Sequence, residues 1–131
     1  MIIGAHVLLY SQDPAADRAF FRDVLQFPSV DVGSGWLIFA LPQAEAALHP
    51  SNGNFAQRHG GHELTGALLY LMCDDLPATI RSLETKNVCC TSVGEAPWGI
   101  KTTIRLPSGS ELGLYQPKHE TAINLASIGS R

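Results

Sequence analysis

Hydrophobic and polar positions along this chain fall into two copies of one pattern. From Ile2 to Phe27 the sequence IIGAHVLLYSQDPAADRAFFRDVLQF opens as an apolar run, breaks at Ser11-Gln12-Asp13, and resumes with apolar residues at helical spacing. From Ala67 to Val88 the sequence ALLYLMCDDLPATIRSLETKNV does the same. In both copies Leu-Leu-Tyr leads to an Asp, then a Pro, then an amphipathic segment. The separation of Asp13 from Phe27 equals that of Asp74 from Val88. The pattern predicts a strand followed by a helix, twice.

Residues 3 to 10 read as a strand, with Ala5, Val7 and Leu9 on one face and His6, Leu8 and Tyr10 on the other. Asp13-Pro14 is a helix start, an Asp cap before a Pro at the first helical position. Ala16, Phe20, Val24 and Phe27 then recur at helical spacing, Arg18, Arg22 and Asp23 face water, and Pro28 ends the helix. Three short extended segments follow, at Ser29 to Val32, Trp36 to Leu41 and Ala44 to His49, separated by Gly- and Pro-containing breaks. Pro50 to Glu63 is polar and Gly-rich and reads as a long exposed loop between the halves.

The second half begins with a strand from Gly66 to Cys73, with Leu68, Tyr70 and Met72 on one face. Asp74 or Asp75 caps a helix to about Lys86, with Leu76, Ile80 and Leu83 inward. Val88 to Val93 and Trp98 to Leu106 read as strands, the latter through its Thr102-Thr103-Ile104 run. Pro107 to Ser110 is a hairpin turn, and Glu111 to Gln116 returns antiparallel. The tail after Pro117 carries a sparse apolar set, Ile123, Leu125 and Ile128, suited to a frayed end or an oligomer contact.

Composition narrows the function. With 131 residues, 45% of them hydrophobic, the chain makes one domain with a real core. A net charge of -3 and scattered Lys and Arg argue against nucleic acid as a partner. The N-terminal apolar run is too short for a membrane span and lacks the basic start of a signal peptide, so no membrane association and a cytoplasmic location are expected. Cys73, Cys89 and Cys90 have no metal-type spacing and read as reduced thiols; vicinal Cys89-Cys90 has a redox or soft-metal reading beside that of two ordinary strand residues.

A doubled βαβββ order in this length resembles the vicinal oxygen chelate superfamily of glyoxalases, bleomycin-resistance proteins, fosfomycin-modifying enzymes and extradiol dioxygenases. The resemblance covers residues 2 to 117 and rests on His6 ahead of Asp13, FFRDVLQF, CDDLPATIRSLETKNV and the closing RLPSGSELGLYQP. It implies an α+β fold of two βαβββ modules, each a curved half, forming a cup-like half-barrel pair. Module one would be 2–49, the linker 50–65, module two 66–117 and the tail 118–131.

The resemblance also implies four metal-ligand positions. The first falls on His6. The second falls near Ala47, with His49 two residues on; the third falls on Leu68, which binds no metal. The last falls on Gly113, with Glu111 two residues back. A displaced site of His6, His49 and Glu111 would suit one divalent ion, Fe, Mn, Ni or Zn. Two residues along a strand move a side chain by roughly 6.5–7 Å, so both would have to lean inward. His6 reads equally as a hydrogen-bonded cup histidine, and His59 and His62 as solvent-exposed loop residues.

The implied cup would bind its ligand through His6, Tyr10, Trp36, Leu68, Tyr70, Met72, Trp98, Arg105, Gly113 and Tyr115, apolar and aromatic walls with few polar groups. The same residues are what a half-barrel core looks like, and Lys101 and Arg105 read equally as solvated strand charges. Three functions follow. The first is a protein that binds a small organic ligand over an incomplete family metal site. The second is a divalent-metal enzyme, extradiol dioxygenase-like or a glyoxalase-like lyase, with Glu111, Tyr70 and Tyr115 handling protons. The third is a non-catalytic partner-binding module. A homodimer is expected, since two-module members of the superfamily usually pair.

Overall fold

The computed structural model describes residues 1–51, 53 and 56–125. Its centre is a four-stranded sheet built by the second half of the chain. Strand β5 (Tyr70–Met72) leads through helix α2 (Leu76–Glu84) to β6 (Gly94–Ala96), β7 (Gly99–Arg105) and β8 (Glu111–Pro117). The sheet order is β5-β8-β7-β6, with β5 parallel to β8 and the other pairs antiparallel. This is the expected βαβββ module. The strand expected over Val88 to Val93 contributes a single bridge, Cys90 to Ile104, and pairing becomes continuous only at Gly94.

Both helices form as the capping signals require. Helix α1 runs Pro14–Asp23, with the Asp13 side chain accepting from the Ala16 amide. In α2 the cap is Asp75, which accepts from the Ala78 amide, so the choice between Asp74 and Asp75 is settled. Helix α1 ends four residues short of Phe27. Gln26 adopts φ 60°, and the Phe27 amide reaches back to the Phe21 carbonyl at 3.1 Å, a Schellman-type stop that acts before Pro28 is reached. Asn87, at φ 61°, plays the same part after α2.

One face of the sheet is the core. Thr102, Ile104, Leu112 and Leu114 point into it, and Leu76, Leu83 and Val88 cover it from the α2 side. Phe20 and Phe21 of α1 join the same cluster, so the first helix packs onto the second module's core. Asp17, 8% exposed, fastens this contact: its carboxylate accepts from the Ser11 hydroxyl at 2.6 Å and from the Ser108 amide at 3.0 Å. The Lys86 ammonium adds a bond to the Val24 carbonyl.

The first half departs from expectation. Strands β1 (Ser29–Asp31) and β2 (Leu37–Phe39) form a hairpin, but 2–10 and 44–49 carry no strand, so module one lacks half of its sheet. The reason is a missing neighbour. Val7, Leu8, Leu9 and Tyr10 are all exposed, and so is Leu48; an apolar run with no β partner has nothing to pair with in this chain. The segment expected to be a loop instead holds a second hairpin, β3 (Ala56–His59) and β4 (His62–Thr65), turning on Gly60 and Gly61 at φ 59° and 82°. Two adjacent positive-φ glycines are what a two-residue hairpin turn demands.

The surface area records the same incompleteness. The chain exposes 9995 Å². A compact protein of 14.1 kDa exposes roughly 6,700 Å², about 3,000 Å² less. No helix among the described residues is long and apolar enough to cross a membrane.

Candidate functional site

The sheet's second face is only partly covered, and the register fixes what lies on it. Residues directly opposite in a ladder point the same way. Arg105 pairs with Glu111, Thr103 with Gly113 and Lys101 with Tyr115; Tyr70 pairs with Gly113 and Met72 with Tyr115. Six of the residues singled out in the sequence, Tyr70, Met72, Arg105, Glu111, Gly113 and Tyr115, therefore share one face.

Two glycines make an aromatic floor there. A Cβ on Gly113 would collide with the ring of Tyr70, and one on Gly99 with the ring of Tyr115. Each tyrosine lies down over a position that only Gly leaves open. The two rings meet edge to face, centroids 6.2 Å apart. The Tyr115 hydroxyl donates to the Trp98 carbonyl at 2.7 Å. Burial, and secondarily the Glu45 carboxylate, raise the Tyr115 phenol above its ordinary value, so it stays a donor across the physiological range.

Two residues that sequence reasoning did not select complete this cluster. His119 lies over Tyr115, ring centroids 5.9 Å apart and planes at 30°. Glu45 stands behind it: one carboxylate oxygen accepts from the Ala122 amide at 2.7 Å, and the other lies 3.8 Å from His119 Nε2. Lys118 is held beside them by an ion pair with Glu95 and by its amide on the Trp98 carbonyl. The segment after Pro117 is thus tied across the open face to residue 45. A Glu in a supposed strand and a His in a patternless tail gave no period to read; only folding brings them together.

The remaining selected residues lie apart from this cluster. Tyr10 donates or accepts at His59 Nδ1, 2.7 Å away, which places β3 against the N-terminal segment. Trp36 stacks under the Arg18 guanidinium at 4.5 Å. Leu68 precedes β5 and is exposed, and the Trp98 side chain is exposed at the start of β7. Ile128 of the tail lies outside the described residues. Two surface hollows are lined by Tyr10 to Gln12 with Ser108 to Ser110, and by Glu84 with Asn87 to Cys90; neither includes Tyr70 or Tyr115.

The metal trio is not assembled. Among the described residues no three His, Cys, Asp or Glu side chains are placed to hold an ion, so His6, His49 and Glu111 do not converge within one chain. His6 and His49 sit on the two segments that lack strand pairing. Burial raises the Cys73 and Cys90 thiols, which makes both poor nucleophiles and ligands.

No protein-family model and no curated protein matches the chain. Solved structures do. An antibiotic binding protein, TnmS3, from a Streptomyces species aligns over 90% of this chain and 100% of its own, with 23% identity and a TM-score of 0.56. A lactoylglutathione lyase from Agrobacterium tumefaciens aligns over 87% and 92%, with 18% identity and a TM-score of 0.58. A member of the glyoxalase/bleomycin resistance protein/dioxygenase superfamily from Sphaerobacter thermophilus aligns over 88% and 98%, with 17% identity and a TM-score of 0.52. The α+β architecture, the βαβββ module and these alignments agree: the chain has the glyoxalase/bleomycin resistance/dioxygenase fold.

Proposed function

We propose that this protein binds a small organic ligand on the open face of its sheet, in a cup that a second copy of the chain completes. The Tyr70–Tyr115 floor, outside the buried core, carries the reading. Tyr70 is exposed and Tyr115 half-buried, and rings seated over glycines outside the core offer a ready surface to a planar or apolar ligand. The antibiotic binding protein of similar fold lends support, as a protein of this architecture that binds a small molecule.

The second copy enters through area and pairing. About 3,000 Å² of excess surface per chain, or about 6,000 Å² over two copies, is enough for the largest obligate homodimer interfaces, which bury about 2,000–5,000 Å² or more in total. The unpaired segments 2–10 and 44–49 supply apolar side chains for such an interface. A divalent-metal enzyme is the second reading, supported by the lactoylglutathione lyase of similar fold. It would require His6, His49 and Glu111 to converge on assembly, since they do not within one chain.

Two measurements separate these readings. The first is metal content of tag-free protein, followed by add-back of Fe²⁺, Mn²⁺, Ni²⁺ and Zn²⁺. The second is a ligand screen following Trp36 and Trp98 fluorescence. The binding reading expects a fluorescence-detected ligand whose affinity falls in Tyr115→Ala and does not depend on metal. Stoichiometric metal lost in both His6→Ala and His49→Ala would overturn it in favour of the enzyme.

A further inference from the structure

We infer that the ligand of this site carries a planar basic group, and that His119 is its built-in stand-in. This rests on the ligand-binding reading above and specifies the chemistry of that same face. The observation is what already lies there: an imidazole against Tyr115, ring centroids 5.9 Å apart and planes tilted by 30°, with a carboxylate oxygen 3.8 Å from its far nitrogen. The Nδ1 of that imidazole donates to the Glu120 carbonyl at 2.7 Å, leaving Nε2 turned to Glu45.

Glu45 is the group that selects. Its side chain is 23% exposed, and the Ala122 amide fixes one of its oxygens. The partner at its other oxygen is 3.8 Å away, beyond hydrogen-bond reach. A half-buried carboxylate with an oxygen to spare, beside the negative face of an aromatic ring, is the pairing that recognises an organic cation. Other charges near the floor do not reverse this. Lys118 is neutralised by Glu95 at 2.6 Å. Glu111 stands opposite Arg105 in the register, and Lys101, opposite Tyr115, is exposed on a flexible stem that can swing into water. A ligand with a basic ring or amine on a flat aromatic body would take the place of His119, stack on Tyr115 and bond to Glu45. The His119 side chain would then swing aside, and it competes with the ligand until it does.

The test compares two fluorescent tricyclic probes of matched shape, 9-aminoacridine as the cation and 9-anthracenecarboxylate as the anion, on the full chain. The cation should bind more tightly. Glu45→Gln should weaken the cation about tenfold, the scale of one charge-assisted bond, and leave the anion unchanged. His119→Ala, by removing the internal competitor, should tighten the cation several-fold. A structural role for His119 predicts the opposite, weaker binding of both probes. Tighter binding of the anion, lost in Tyr115→Ala, overturns the inference and leaves the ligand-binding reading standing. Failure of both probes to bind, even to His119→Ala, overturns the inference and counts against that reading as well.

Discussion

Asp17 is the polar clamp between the first helix and the second module, and its removal has a calculable cost. The carboxylate is buried and accepts two hydrogen bonds, one from Ser11 within its own half and one from the Ser108 amide in the β7–β8 turn. Asp17→Ala deletes both and strands the Ser108 amide in a half-buried place. Hydrogen bonds to a charged acceptor contribute about 1.5–3 kcal/mol each, and some of this returns as the Ser11 hydroxyl rotates to water. The expected loss is about 3 kcal/mol, or a fall in Tm of roughly 10 °C for a domain of this size. Asp17→Asn keeps an acceptor for the Ser108 amide and offers its amide group to Ser11, so it should lose only about 1 kcal/mol. Ser11→Ala isolates the local bond, and the Ser11→Ala/Asp17→Ala cycle gives its coupling energy. Urea unfolding of the four proteins at fixed concentration reads these values directly. An Asp17→Ala protein within 0.5 kcal/mol of the parent would show that α1 is held by Phe20 and Phe21 alone.

Three further outcomes follow from the same geometry. Gly113→Val should evict the Tyr70 ring, breaking the Tyr70–Tyr115 pair at a cost of about 0.5–1.5 kcal/mol while strand propensity recovers part of it; near-UV circular dichroism should change while the Tm moves by only a few degrees. Tyr115 should ionise above the ordinary tyrosine range in an alkaline absorbance titration, a component lost in Tyr115→Phe. Because its folded pKa lies above the unfolded value, the folded state holds its proton longer, and stability should decline as pH rises past about 10; Tyr115→Phe should flatten that decline. Light scattering at micromolar concentration should give a dimer mass, and Val7→Asp with Leu9→Asp should yield monomer or insoluble protein. A soluble, cooperatively folded monomer of the parent chain would refute the account of the exposed segment.

The second module was legible because its signals are local. Asp75 with Pro77 announces a helix, Thr102 to Ile104 a strand, and Pro107 to Ser110 a turn, and each is built as read. Period-2 alternation grouped Tyr70 with Met72, and Glu111 with Gly113 and Tyr115; the pairing of β5 with β8 puts the two sets on one face. Period alone could not show that 2–10 would lack a partner, because β pairing is a property of the neighbour. Gln26 ended α1 in a left-handed conformation that an ordinary residue does not advertise. The hairpin at 56–65 was hidden by its polarity, since both of its strands are exposed and neither alternates toward a core. Glu45 and His119 were invisible because only a long-range meeting brings them together, and no repeated pattern marks either residue.

Backbone amide NMR can locate a small aromatic ligand on the face around Tyr70 and Tyr115. ¹⁵N-labelled protein would be titrated with 9-aminoacridine and related planar compounds. Binding there should give saturable shifts concentrated at Tyr70, Met72, Lys101, Gly113 and Tyr115, with the buried face at Thr102, Ile104, Leu112 and Leu114 moving less. Saturable shifts centred elsewhere, with β5, β7 and β8 silent, would contradict it.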